Sequence, residues 1–555
     1  MKNWSTSDQL KVALTDGDVR HVADGTRPVE ILAEGTVSSD GICVALVDRM
    51  PVPLTRPLHR DVRLEFVGIE HIEGLRAYRR SLCLVLIRAL ADLFPEETLR
   101  VEHALQSGYY CHISRPLSKD EISSVRSRVW EIIHSDLPIV LREMHVDEAL
   151  VAFGRSGDTD KIRLLRYLAT STVELVELDG HLDYFYGPLL PSTGTLGTFE
   201  LTNHPPGFLL RFPQPTDPPT VAPLVQQPRL LQMLRDQERW GALLGIETVG
   251  QLNEVIASGD LHELIHIAEA LQEKRVARMA DHIVSLRPQP RVVLIAGPSS
   301  SGKTTFAKRV STHLRLNGCP VKSLELDNYF VDRKDNPRDE NGEYDFESPD
   351  ALDLTLLDQH LSALLRGETI ELPHYSFREG RKEFRGDTMQ LGPDSVLVLE
   401  GIHALNPRLS PSVPKELKFE IYISALTQLN IDHHNRVPTT NVRLIRRIVR
   451  DHRYRGYTAS ETLKRWGSVR RGEERHIFPF QESAQVMFNS ALLYELAVLK
   501  TFAEPLLRQI TPDDENYPEA RRMLRFLSFF LPITRDLVPL TSLLREFVGG
   551  GSIQY

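Results

Sequence analysis

The stretch that decides the fold of this chain reads Gly297-Pro298-Ser299-Ser300-Ser301-Gly302-Lys303-Thr304. It matches the complete G-x-x-x-x-G-K-[ST] pattern of a phosphate-binding loop. The apolar run 292–296 predicts a buried strand before the loop, and residues 305–309 predict the start of a helix after it. A serine-rich turn that only caps a helix is the alternative. The strand, the spacing, the lysine and the threonine together favour a nucleoside triphosphate site.

Each part of this loop has a chemical role. Its glycines let the backbone curl so that successive N–H groups face one anion, and the helix N-terminus adds its positive dipole end. Lys303 would reach the β- and γ-phosphates, and the Thr304 hydroxyl would hold Mg²⁺. We therefore predict ATP and Mg²⁺ as cofactors. The predicted nucleotide-binding residues are Gly297, Pro298, Ser299, Ser300, Ser301, Gly302, Lys303, Thr304 and Thr305.

Length and composition restrict the class of protein. The 555 residues suffice for about three domains, and a net charge of −9 argues against a global basic surface for nucleic acid. The four cysteines are far apart, which predicts a reduced, cytoplasmic compartment without a disulfide framework. The first residues lack the apolar core of a signal peptide, and no apolar run reaches the length of about 18 residues that a membrane span needs.

Strand and helix patterns divide the chain into five predicted parts. Proline density after residue 204 predicts an extended linker, because proline excludes regular helix. Strands and helices alternate from about residue 290 onward, which predicts an α/β domain with a parallel sheet. The parts are a β-rich module (1–69), an α+β region (70–212), a proline-rich linker with a helical connector (213–288), the nucleotide-binding domain (289–500) and a helical C-terminal extension (501–555).

Two acidic residues follow predicted strands of the nucleotide domain. Asp327 comes after the run 323–326, and Glu400 comes after 395–399. The carboxyl ends of parallel strands line the ligand crevice in such sheets. An acid there can accept a proton from an attacking hydroxyl or approach Mg²⁺. For Asp327 alone, a turn-capping role is the alternative; Glu400 is placed like a Walker-B carboxylate.

A basic helix follows these acids. Arg443, Arg446, Arg447 and Arg450 share one helical face at spacings of i, i+3, i+4 and i+7. Four cations on one face favour an anionic ligand, so we predict a lid that clamps the transferring phosphoryl group. A solvated basic stripe is the alternative.

Six stretches resemble the uridine kinase branch of the phosphoribulokinase/uridine kinase family, in the family's order. They are Gly-Pro-Ser-Ser-Ser-Gly-Lys-Thr-Thr (297–305), Leu-Asp-Asn-Tyr-Phe (326–330), Tyr-Asp-Phe-Glu-Ser-Pro-Asp-Ala-Leu-Asp (344–353), Leu-Pro-His-Tyr-Ser-Phe (372–377), Leu-Glu-Gly-Ile (399–402) and Arg-Arg-Ile-Val-Arg-Asp (446–451). The resemblance implies a P-loop NTPase-type kinase domain that phosphorylates the 5′-hydroxyl of a nucleoside.

The resemblance also implies residue roles. Asp327 would be the general base, with Lys303, Arg447 and Arg450 as further catalytic residues. Thr304 and Glu400 would surround Mg²⁺. The implied substrate-binding residues are Asp327, Phe330, Phe346, Asp350, Tyr375, Arg447, Arg450 and Arg455.

The chain departs from the family pattern at two positions. In uridine kinases a histidine that contacts the pyrimidine edge follows the Tyr-x-Phe segment, and Gly380 stands there in this chain. A further lid arginine is replaced by Tyr457, which follows Gly456. Because both changes affect positions linked to pyrimidine selectivity, the acceptor stays open between a pyrimidine nucleoside, a purine nucleoside and another small alcohol. Neither change touches the phosphoryl-transfer residues.

The N-terminal half resembles threonyl-tRNA synthetases. Residues 28–69 resemble their small β-grasp TGS module, and 70–200 resemble their second, editing-type domain. The metal-binding His-x-x-x-His pair of that domain falls on Arg80 and Leu84, and its later Cys and His fall on Phe185 and Leu189. Leucine and phenylalanine cannot ligate zinc, so we predict no editing hydrolysis. The half then has a binding or regulatory role toward nucleotide, RNA or the kinase, or it is a structural fusion.

Two histidine-containing stretches suggest metal sites that we do not favour. His262-Glu263-Leu264-Ile265-His266 fits H-E-x-x-H, but no third ligand is evident and the pattern is that of an amphipathic helix. Asp432-His433-His434 is interpreted as a polar loop.

The sequence thus predicts a cytoplasmic, homo-oligomeric, ATP-dependent nucleoside kinase behind a synthetase-like region, for which RNA is one candidate partner. The alternatives are a kinase of another small alcohol and an ATP-gated regulator associated with RNA or the ribosome, in which the synthetase-like half is the working part.

Overall fold

The computed structural model describes residues 9–15, 17–34, 41–105, 108–215, 219–340, 342, 344–376, 379–427 and 429–553. Phe377, part of one family motif, lies outside these residues. The chain forms two compact units: the first comprises residues 1–226, 248–251 and 430–436, and the second comprises 227–247, 252–429 and 437–555. The five-part division made from the sequence stays a prediction.

Up to residue 226 the chain contains twelve strands and five helices within the described residues. They are β1 (Gln9–Leu14), β2 (Val19–Ala23), α1 (Pro28–Ala33), β3 (Ile42–Val47), β4 (Met50–Val52), β5 (Val62–Gly68), α2 (Ile72–Leu93), β6 (Arg100–Leu105), β7 (Gly108–His112), α3 (Lys119–His134), β8 (Ile139–His145), α4 (Val146–Ser156), α5 (Thr159–Arg166), β9 (Thr172–Leu178), β10 (His181–Asp183), β11 (Glu200–His204) and β12 (Gly207–Arg211).

Three sheets organise the described part of the first unit. The N-terminal sheet has the order β2-β1-β5-β3-β4 and is mixed, since β1 and β5 are parallel whereas the other neighbours are antiparallel. Two antiparallel sheets follow, with the orders β11-β12-β7-β6 and β10-β9-β8. Helix α2 is the centre of their core, because its residues 82–87 are all buried.

The segment 430–436 belongs to this first unit and completes a buried cluster of charges. Nζ of Lys161 lies 3.2 Å from Oδ1 of Asp183 and 3.0 Å from Nδ1 of His434. His434 in turn lies 2.7 Å from Oδ2 of Asp183, and Asp160 accepts a hydrogen bond from the His433 N–H. Burial alone raises the pKa of Asp183, but His434 and Lys161 hold it well below its ordinary value. The stretch interpreted as a polar loop is therefore part of a buried ionic network.

From residue 228 onward helices and strands alternate. They are α6 (Pro228–Leu244), α7 (Val249–Ser258), α8 (Leu261–Ser285), β13 (Val292–Ala296), α9 (Lys303–Leu316), β14 (Val321–Glu325), α10 (Leu354–Leu365), β15 (Thr369–Ser376), β16 (Arg381–Gln390), β17 (Val396–Glu400), β18 (Lys418–Ser424), α11 (Thr439–Arg455), α12 (Ala459–His476), β19 (Val486–Asn489), α13 (Glu495–Arg508), α14 (Tyr517–Ser528) and α15 (Arg545–Val548).

The second unit is built on a parallel sheet with the order β14-β17-β13-β18-β19. Its central strand β13 is buried at every residue, as the continuous apolar run predicts for a sheet covered on both faces. β15 and β16 form a separate antiparallel hairpin. The predicted fold class is confirmed: an α/β domain with a parallel sheet and a phosphate loop follows a small mixed sheet and an α+β region.

Two further expectations from the sequence concern the cysteines and membrane-spanning helices. Cys43, Cys83, Cys111 and Cys319 are all buried and unpaired with one another. In the part of the chain that the structure describes, no helix combines the length and the apolar character that crossing a bilayer requires.

Lys161→Met is expected to lower the free energy of unfolding by about 3–5 kcal/mol, because Asp183 would keep a buried charge without the ammonium group that lies 3.2 Å from it. Arg142→Met is the control, since Arg142 pairs with Glu177 on the surface at 2.8 Å and should contribute at most about 1 kcal/mol. Urea-induced unfolding of both variants measures the difference. Equal losses would show that the buried cluster does not stabilise the unit.

Candidate active site

The phosphate loop connects β13 to α9 and depends on two glycines. A Cβ at Gly297 would lie 2.0 Å from the carbonyl oxygen of Ile423, so only glycine allows this approach of the two backbones. Gly302 caps α9 with φ of 85°, in the left-handed region, and Ser300 also has a positive φ of 60°. The loop therefore has the curled backbone that places successive N–H groups around one anion.

Two arginines of α11 hold the loop from outside. Nε of Arg443 donates to the carbonyl of Ser299 at 3.0 Å, and Nη1 of Arg446 donates to the carbonyl of Ser300 at 3.3 Å. Both guanidinium groups are fully buried, with 1% and 0% of the residue exposed. Two loop N–H groups are also bound within the protein: that of Ser299 donates to Oε1 of Glu473 at 3.0 Å, and that of Ser301 donates to the carbonyl of Pro298 at 3.2 Å.

Protein carboxylates neutralise these two arginines. Arg443 forms an ion pair with the buried Glu473, and Arg446 lies 2.5 Å from Oε2 of the buried Glu495. The prediction that all four arginines of the shared face clamp a phosphoryl group is thus wrong for Arg443 and Arg446. The spacing of the arginines predicted their shared helical face correctly. The anions that pair with Arg443 and Arg446 are carboxylates of the protein itself, which lie further along the chain.

The remaining arginines of the helix differ in how well they are paired. Arg447 donates to Oγ of Ser299 at 2.6 Å and to Asp451 at 3.0 Å, and Arg455 donates to Asp451 at 3.2 Å. Nε of Arg450 lies 4.0 Å from Oδ1 of Asp451. This buried Nε has no hydrogen-bond partner within the described residues. Burial lowers the pKa of Arg450 to about 10. Among the predicted arginines, Arg450 is the one poised for an external anion.

The candidate metal ligands meet at the ends of two neighbouring strands. Oγ1 of Thr304 donates to Oε1 of Glu400 at 2.7 Å. Glu400 ends β17 directly opposite Glu325, which ends β14. Burial raises the pKa of Glu400 to about 7; Lys303 opposes this shift and Asp327 adds to it. A hydroxyl and a carboxylate are suitable oxygen ligands for Mg²⁺, so Thr304 and Glu400 fit the predicted role.

Burial also lowers the pKa of Lys303, against the attraction of Glu400 and Asp327. In this structure its Nζ donates to the carbonyl of Pro298 at 3.2 Å. Lys303 and Glu400 thus influence each other's pKa, and Asp327 influences both, at the end of the loop where the sequence predicts phosphoryl transfer.

The predicted acceptor residues are brought together in part. The rings of Phe330 and Tyr375 lie 5.4 Å apart and form an aromatic pair beside the segment that holds Asp327. Phe346 is 40% exposed and lies near Tyr344 instead. Asp350 forms an ion pair with Arg408.

The sequence did not single out Glu347 and His403, whose pKa values are shifted strongly by burial. Burial raises the pKa of Glu347 to about 7, with Arg447 opposing and Glu473 reinforcing the shift. Burial, aided by His476, lowers the pKa of His403 to about 3. Each residue lies inside or next to a quoted family motif, so its position in the sequence was the available signal.

In the first unit, three of the four residues that the resemblance assigns to the synthetase metal positions are core side chains. Leu84, Phe185 and Leu189 are buried in the hydrophobic core. Arg80 donates to the carbonyl of Pro188 at 2.9 Å. The absence of editing hydrolysis stays a prediction.

The H-E-x-x-H stretch lies on α8. Leu264 and Ile265 are buried, whereas His262, Glu263 and His266 are exposed. Within the described residues, these side chains belong to no group of three or more metal ligands.

Arg446→Met is expected to lower the free energy of unfolding by about 3–5 kcal/mol, because Glu495 would lose the cation that compensates its burial. Arg450→Met is expected to lower it by less than about 1 kcal/mol, since no carboxylate depends on Arg450 in the same way. Urea unfolding without nucleotide compares the two variants. A larger loss for Arg450 would contradict the division into loop-holding and anion-binding arginines.

Comparison with known proteins gives results for both halves. Threonine–tRNA ligases match about 200 residues of the chain. The ligase of Anaeromyxobacter dehalogenans is 30% identical over 205 residues, which are 36% of this chain and 31% of the ligase. The ligase of Thermotoga neapolitana is 30% identical over 198 residues, 35% of this chain and 30% of the ligase. The chain thus spans less than a third of the length of these relatives.

The kinase part has its own matches. A possible uridine kinase from Bacillus stearothermophilus is a structural neighbour with 22% identity and a TM-score of 0.27, covering 39% of this chain and 98% of that one. The uridine kinase of Deinococcus deserti is 33% identical over 178 residues, which are 32% of this chain and 76% of that kinase. The profile of the Phosphoribulokinase / Uridine kinase family matches residues 292–494. The resemblance recognised in the sequence is confirmed, and the chain belongs to the phosphoribulokinase/uridine kinase family.

Proposed function

We propose that this chain is an ATP-dependent nucleoside kinase that transfers the γ-phosphoryl group of ATP to a 5′-hydroxyl. The observation that carries this proposal is the hydrogen bond between Thr304 and Glu400 at the end of a phosphate loop whose outer side is fixed by buried arginines, where Lys303 and Asp327 both influence the pKa of Glu400. Cations for the phosphates and a carboxylate for the acceptor hydroxyl lie in one place.

The proposed reaction is an in-line displacement. Asp327 accepts the proton of the 5′-hydroxyl, the oxygen forms a bond to the γ-phosphorus, and the bond to the β,γ-bridging oxygen breaks to release ADP. Lys303 and the loop N–H groups hold the phosphates, while Arg450 stabilises the charge of the transferring group. Thr304 and Glu400 would hold Mg²⁺, which neutralises charge on the β- and γ-oxygens when bound.

The test is ADP release from ATP·Mg²⁺ with each pyrimidine and purine nucleoside in ribo and deoxy form, against a blank without acceptor. Asp327→Asn is expected to lower kcat by about 10²–10⁴-fold, the usual contribution of a general base, while ATP still binds. The exposed Asp335→Asn is the matched control and should retain kcat. Wild-type turnover in Asp327→Asn would overturn the base assignment. A panel without any active nucleoside, but with ATPase activity stimulated by structured RNA, would favour the RNA-linked regulator.

A second candidate acceptor, other than a pyrimidine nucleoside, is favoured by the surroundings of Gly380. This glycine has φ of 70°, and a Cβ there would lie 2.8 Å from Nε of Arg333. The family's histidine therefore has no room at this position. The Arg333 side chain occupies the space and also influences Tyr375 electrostatically. A guanidinium favours a nucleoside whose base has two adjacent hydrogen-bond acceptors, such as N7 and O6 of guanine.

Arg333→Ala is expected to raise the KM for the accepted nucleoside by about 10–100-fold, the loss of a hydrogen bond to a charged group. The KM for ATP should not change, because Arg333 lies on the acceptor side. Lys334→Ala removes a neighbouring exposed cation and is the control. An unchanged nucleoside KM in Arg333→Ala would exclude this residue from acceptor recognition.

A further inference from the structure

The C-terminal extension returns to the phosphate loop, an arrangement that the sequence does not predict. After α14 the chain continues to α15, and the segment 542–548 is buried throughout. Leu543 lies against the loop, because a Cβ at Gly302 would come within 2.6 Å of its side chain. The ring of Phe547 lies 4.9 Å from Cζ of Arg446, one of the arginines that hold the loop.

This segment places one carboxylate on the first turn of α9. Oε2 of Glu546 accepts hydrogen bonds from Oγ1 of Thr305 at 2.5 Å and from its backbone N–H at 3.3 Å. N–H groups in the first helical turn have no partner inside the helix. In a phosphate loop these groups serve the nucleotide phosphates. Glu546 thus uses a donor that a bound triphosphate would need.

The same carboxylate lies in the field of the phosphate-binding cations. Glu546 is among the carboxylates that counter the effect of burial on the pKa of Lys303 and on that of Arg450. Within the described residues, the ion pair of Arg450 is the one with Asp451, at 4.0 Å. The negative charge of Glu546 partly neutralises these cations, which the phosphates of a nucleotide would otherwise do.

We propose that Glu546 is a built-in competitor of the nucleotide: its carboxylate occupies Thr305 when the site is empty, and the phosphates of ATP must displace it. The inference rests on the proposed ATP-dependent function, and it adds a regulatory contact to that site. The C-terminal segment would set the concentration of ATP at which the kinase becomes loaded. A carboxylate near a helix N-terminus also stabilises a helix, so the test separates competition from simple capping.

The experiment measures binding of ATP·Mg²⁺ and ADP·Mg²⁺ by calorimetry to the full chain and to Glu546→Gln. Glutamine keeps the shape and one oxygen acceptor but removes the negative charge. Glu504→Gln is the matched control, because Glu504 also lies in the C-terminal part but pairs with Arg508 on the surface. Thermal unfolding without nucleotide is recorded for each protein, and adenosine is measured as a competitor of ADP.

Competition predicts that Glu546→Gln binds ATP and ADP about tenfold more tightly, the factor that corresponds to 1.4 kcal/mol. Adenosine, which carries no phosphate, should bind equally to both proteins, and Glu504→Gln should match the wild type. Equal or weaker nucleotide binding by Glu546→Gln, with or without a lower unfolding temperature, would overturn the proposal and leave a capping role. If neither protein binds ATP, the proposed function and this inference fail together. Normal binding without transfer to any nucleoside would overturn only the proposed function.

Discussion

The kinase unit depends on one constraint, the capture of the phosphate loop's carbonyl groups by buried arginines. Arg443 and Arg446 bind the carbonyls of Ser299 and Ser300 in a region without solvent. These contacts fix the loop backbone against α11, and Glu473 adds to them by accepting a hydrogen bond from the Ser299 N–H at 3.0 Å. Buried guanidinium groups need carboxylate partners, and this requirement ties α11 to distant parts of the chain.

Because Arg443 and Arg446 hold the loop, only a few cations of the site are left to bind a ligand. The loop-holding arginines are neutralised by Glu473 and Glu495, whereas Lys303 and Arg450 lie in buried surroundings with weaker compensation. Such uncompensated charge is costly in the empty protein and becomes favourable when an anion arrives. The site is therefore organised before a nucleotide binds.

Local sequence patterns predicted much of the candidate site. They predicted little of the pairing between residues that are distant in the sequence. The apolar run before Gly297, the loop motif and the acid at the end of β17 could be predicted because each signal lies within about ten residues. The partners of α11 could not, since Glu473 and Glu495 are remote in sequence and ordinary in context. Likewise Arg333 beside Gly380, and the return of the C-terminal segment to the loop, depend on tertiary packing that spacing does not encode.

The membership of residues 430–436 in the first unit has a consequence for biosynthesis. The buried charges of Asp160, Lys161 and Asp183 are complete only when His434 is present. Ribosomes add about 5–20 residues per second, so this partner emerges on the order of ten seconds or more after Asp183. During that interval the first unit carries charged groups whose native partner has not yet been made. Its folding cannot finish before most of the kinase unit has been translated, although nearly all of its sequence comes first.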